Sequence, residues 1–114
     1  MCNPIGTYIR TPSALTVDVQ PDAEAGIAGS VVTTHGGGAP HKRLLSLGDF
    51  PLTLQIDSGT THVVTVRAAS VGIEANVTVT AEVTGADMRG PDVCRLEVDD
   101  SHPVAMDTIM VGAV

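Results

Sequence analysis

Apolar and polar residues alternate with a period of two along most of the chain, and no stretch sustains the three-to-four spacing of an amphipathic helix. The alternation predicts strands. Thr7 to Arg10 and Ala14 to Val19 are two short runs split by Pro12, with Leu15, Val17 and Val19 on one face of the second. Asp22 to Ala25 has room for one helical turn before Gly26 and Gly29 interrupt it, and Ser30 to Thr34 is the next strand. A brief run follows at Leu44 to Leu47. Leu52, Leu54 and Ile56, then Val64, Val66 and Ala68, alternate with polar residues on either side of Ser58-Gly59-Thr60-Thr61, which predicts a β-hairpin. Asn76 to Thr84 is the cleanest half-buried strand, with Val77, Val79, Ala81 and Val83 inward. Gly85 to Pro91 is expected as a loop, and Val93 to Val98 and Val104 to Val111 as two more strands joined by the turn Asp99 to Pro103. The expected fold is therefore all-β: a single β-sandwich domain over residues 1–114, of seven or eight short strands and immunoglobulin-like or jelly-roll plan.

Composition narrows the function. The chain has one Phe, one Tyr and no Trp, so its core is aliphatic and it lacks the aromatic platforms on which single-stranded nucleic acid stacks. Thirteen acidic residues against six basic ones give a net charge of −7, which disfavours phosphate backbones and anionic lipid. Neither nucleic acid nor membrane is expected as a partner. No apolar run approaches the length of a membrane span, and the start of the chain lacks the plan of a signal peptide, so the expected localisation is cytoplasmic at synthesis, with the virion as a later destination. In such a reducing setting Cys2 and Cys94 are expected as free thiols, Cys94 lying on the strand face opposite Val93.

Three segments raise the question of chemistry. Leu54 to Thr61, with Asp57-Ser58-Gly59-Thr60 at its centre, resembles the aspartic-protease motif over about a dozen residues. The resemblance implies a homodimer in which Asp57 from each copy shares one proton. Gln55 in the lead strand departs from that pattern, and the same four residues are what a tight turn requires, so Asp57 is read as a turn residue. His35-Gly36-Gly37-Gly38 resembles the oxyanion loop of some lipases and esterases, but the matching Gly-x-Ser-x-Gly elbow is absent and the segment is read as a mobile surface loop. His35, His41, His62 and His102 fall in or beside expected loops without metal-ligand spacing, and are read as surface histidines. No catalytic residue, metal or cofactor is expected.

A non-enzymatic structural or assembly protein is the preferred function, acting by self-association or by docking onto a larger assembly, as a decoration or accessory protein of a virus particle does. The expected contacts are the loop Gly36, Gly37 and Gly38, the basic cluster His41, Lys42 and Arg43, and the apolar C-terminal run Ile109, Met110 and Val111, which would be costly at an unpaired edge. A small ligand-binding β-module and a homodimeric retropepsin-like protease are the alternatives.

Overall fold

The computed structural model describes residues 5–113. They form two packed β-sheets with no α-helix. The strands are β1 (Gly6–Ile9), β2 (Ser13–Pro21), β3 (Ala25–His35), β4 (His41–Ser46), β5 (Leu52–Ile56), β6 (Thr60–Ser70), β7 (Ala75–Gly85), β8 (Arg89–Val98) and β9 (Val104–Ala113). A five-stranded sheet has the order β1-β9-β6-β3-β4, and a four-stranded sheet the order β5-β2-β7-β8. Every pairing is antiparallel except that of β1 with the end of β9.

Alternation decides which residues meet between the sheets. Leu15, Val17 and Val19 of β2, Val77, Val79, Ala81 and Val83 of β7, Val64, Val66 and Ala68 of β6, and Ile109 and Val111 of β9 are all buried in one aliphatic core. At roughly 25 cal/mol per Å² of apolar surface removed from water, this layer is the main term holding the sheets together.

Several elements differ from expectation. The two glycines that were read as ending a helical turn lie inside β3, the first of the eleven-residue strands. A β-carbon at Gly29 would stand 2.7 Å from the carbonyl oxygen of Thr65, so the close approach of β3 to β6 needs a residue without a side chain there. His41 to Arg43 belong to edge strand β4 rather than to a loop, and β8 starts at Arg89, inside the expected loop Gly85 to Pro91. The predicted hairpin around Ser58 is absent: β5 pairs with β2 and β6 pairs with β3 and β9, so the turn carries the chain from one sheet to the other. Alternation gives the face each strand buries but not its partner, and the same pattern serves a hairpin or a crossing.

The cysteine expectation also changes. Cys94 is buried on the inner side of β8, opposite in face to exposed Val93 as expected, but it is disulfide-bonded and not a free thiol. Cys2 lies outside the described residues. A compartment argument is blind to the local geometry that decides whether a thiol is bonded.

Candidate functional site

The outward faces of the two sheets differ in chemistry. On the four-stranded sheet, β2 turns Thr16, Asp18 and Gln20 to solvent, β7 turns Thr78, Thr80 and Glu82, and β8 adds Arg95 and Glu97. This is an ordinary solvated surface. The five-stranded sheet has its polar and apolar roles less well separated. Its registers place Val32 beside Val63 and Met110, Ala28 beside Arg67 and Met106, and Gly26 beside Ala69 and Val104, with Leu44 and Lys42 of β4 completing the rows. None of the acidic side chains projects from this face among the described residues. Asp107, the one carboxylate on β9, is buried on the opposite side of its strand.

Large apolar groups stay in water here. Leu44 is 76% exposed, Met106 62% and Met110 40%, and Val104 is also exposed. Small residues on β3 leave a trough between them. Two shallow depressions lie along it, one of about 250 Å³ against Gly26, Ala28, Arg67 and Ala69, the other of about 180 Å³ against Ser30, Lys42, Leu44 and Met106. Both are open and smaller than the roughly 300–1,000 Å³ of a small-molecule pocket.

The cations on this face also stand apart. Arg10 and Arg89 pair with Asp87 at 3.9 and 3.4 Å, and Arg43 pairs with Asp49 at 3.6 Å. Arg67 and Lys42 have no ion pair among the described residues. An exposed guanidinium flanked by apolar side chains is a ready partner for a carboxylate brought from outside.

The residues expected at the contact are only partly together. Gly36, Gly37 and Gly38 are exposed at the turn between β3 and β4, and His41, Lys42 and Arg43 lie on β4 at the sheet edge. Of these, Lys42 belongs to the outward face. Ile109 and Val111 are corrected: both are core residues of a strand paired with β6 along its length and with β1 at its end, so neither side chain is available to a partner. Met110, between them, points outward. Arg67, Leu44 and Met106 were missed, because alternation gives the face each strand buries but not which strands lie side by side, so nothing in the sequence brings these three residues together.

The structure places the other candidate segments in turns and in the core. Asp57 is exposed in the sheet-crossing turn, where its carbonyl accepts the N–H of Thr60 at 3.0 Å. Asp99 accepts the N–H groups of Ser101 and His102 at 2.8 and 2.7 Å, closing the β8–β9 turn as its composition predicts. His62 is not a surface residue. It is buried, its Nε2 donates to the carbonyl of Gln55 at 3.0 Å, and its Nδ1 lies 2.9 Å from the hydroxyl of Thr33. Since a carbonyl only accepts, the ring proton sits on Nε2 and the histidine ties the five-stranded sheet to β5 of the other. Among the described residues no group of three or more His, Cys, Asp and Glu side chains is placed to hold a metal ion, and no helix is long and apolar enough to cross a membrane. No protein-family model, curated protein or solved structure matches this chain.

Proposed function

We propose that this chain is a non-enzymatic assembly protein whose working surface is the outward face of the five-stranded sheet. What carries the reading is the contrast between the two faces: a chain of net charge −7 keeps one whole sheet face free of carboxylates and leaves Leu44, Met106 and Met110 in water there. Contiguous exposed apolar surface of this kind marks a contact with another protein. Lys42 and Arg43 on β4 discourage random edge-to-edge pairing, which leaves the face rather than the edge for specific docking. The fold is read as a sandwich of immunoglobulin-like or jelly-roll plan. A disulfide at Cys94 suits an oxidising setting such as a virion or cell surface better than the cytosol, in keeping with an accessory subunit of a particle.

The test is a matched pair of exposed apolar substitutions on opposite sheets. Leu44→Glu changes the proposed surface and Val93→Glu, at a residue 65% exposed on the four-stranded sheet, changes the other. Each is introduced into the full chain, and native mass is followed by light scattering in the material isolated from its source. Loss of the assembled species with Leu44→Glu alone supports the reading; equal behaviour of both variants contradicts it.

A further inference from the structure

We propose that the occupant of this face is a second copy of the chain, in a two-fold dimer where the β6–β7 loop of each copy lies in the trough of the other and Glu74 meets Arg67. This rests on the docking surface proposed above and names its partner. The β6–β7 loop is the complement of the trough. Val71 and Ile73 are exposed apolar residues, Glu74 follows them with its carboxylate free of any ion pair among the described residues, and no cation lies on the loop.

The loop is also held in shape before any contact is made. The hydroxyl of Ser70 donates to the carbonyl of Ile73 at 3.2 Å and accepts the N–H of Gly72 at 3.2 Å. Gly72 has φ +99, a conformation that closes the turn without the steric cost a side chain would bring. A pre-formed loop loses little entropy on docking. Loop and trough are neighbours in the molecule, since the larger depression reaches Ala69 and the loop begins two residues later. A two-fold axis lying in the interface between them sets each loop on the other copy's trough, and such an isologous contact closes at two copies rather than growing into a filament.

Size agrees with this. At about 4.8 Å between strands and 3.3 Å per residue, the whole face of the five-stranded sheet spans about 650 Å², short of the roughly 800 Å² that each partner contributes to a standard interface, and the docked loop supplies the remainder. Neither depression is large enough by itself to explain so extended an apolar surface.

Sedimentation equilibrium of the full chain over a wide concentration range provides the test, with a charge exchange at the proposed pair. The expected result is a monomer–dimer equilibrium that Arg67→Glu and Glu74→Arg each weaken by about tenfold or more, and that the double exchange restores toward the original value. All the altered side chains are exposed, and circular dichroism of each variant confirms folding; Glu74→Gln and Ile73→Ser, at loop positions, carry the same expectation should either reversal fail to fold. A chain that stays monomeric at every concentration overturns the proposal, as does a dimer indifferent to both single changes. If Leu44→Glu abolishes the dimer while the charge changes leave it intact, the face is the contact but the loop pairing is wrong; if neither has any effect, the face itself is wrong.

Discussion

His62 ties the two sheets through its hydrogen bond to the Gln55 carbonyl and holds Thr33 of its own sheet through a second, and an aliphatic side chain of similar size can make neither. Replacing it by Leu leaves the exposed Gln55 and the half-buried Thr33 without their histidine partner, and each such loss falls toward the lower end of roughly 1–3 kcal/mol. His62→Leu is therefore expected to lower unfolding stability in urea by about 2 kcal/mol, and a loss below about 0.5 kcal/mol would show the bridge to be idle. Asp107 acts with the opposite sign. Burial raises its carboxyl above the ordinary value of 3.8, against the opposing hydrogen bond from the N–H of Thr108. The folded chain then holds this proton more tightly than the unfolded one, so the contribution is favourable below the unfolded value and is lost as pH rises through the folded one. Asp107→Asn should raise the melting temperature near neutral pH, and the gain should disappear below pH 3.8. A variant that melts no higher than the parent at neutral pH would contradict this. Asp22, Asp49 and Asp87 run the other way, because backbone N–H groups of Asn76, Ser46 and Arg10 hold their carboxylates below the usual range; their contribution is present above the unfolded value and fades as pH falls through the folded ones. None of this was legible in the sequence. His62 and Asp107 occupy inward positions of otherwise apolar alternations; the partners of His62 lie on other strands, and the burial that acts on Asp107 comes from the packing of the second sheet.

At the scale of elements, β9 is expected as a contact through Ile109 to Val111, and its inward face is structural while Met106 and Met110 stay outward. Ile109 and Val111 sit in the core between β1 and β6, so removing residues 107–114 should unfold the chain outright, seen as loss of the cooperative melt in circular dichroism. A truncated chain that still melts cooperatively would show that the β6 edge does not need it. Cys94 gives a second check. Reduction of its disulfide should lower stability by roughly 2–5 kcal/mol, and melting curves that coincide with and without reductant would mean that the bond contributes nothing. Strand positions were well read where alternation was strict, as in β7 and β9. They failed where glycine or proline stood inside a strand, as with Gly26 and Gly29 in β3 and Pro91 in β8. Both residues weaken strands in general and are accommodated here by a close backbone approach and by an edge position. Partner choice was not legible at all, and the misread hairpin between β5 and β6 is its consequence.

For the molecule as a whole, the all-β class and the two packed sheets followed from periodicity, since period-two apolar faces can be buried only against another layer. The proposed working surface did not follow. Both sheets are built from the same alternating runs, and only the registers reveal that Ala28, Arg67, Met106 and Leu44 come together while the acidic residues are directed elsewhere. Methionine footprinting tests that surface most directly, because three methionines report on two regions of the folded chain. Met106 and Met110 lie on the outward face of the five-stranded sheet, and Met88, 72% exposed, lies in the β7–β8 turn as an internal reference. Oxidative labelling of the proposed assembled species, compared with the dispersed chain, is predicted to protect Met106 and Met110 while leaving Met88 as reactive as before; labelling of all three that is unchanged between the two states would contradict the account.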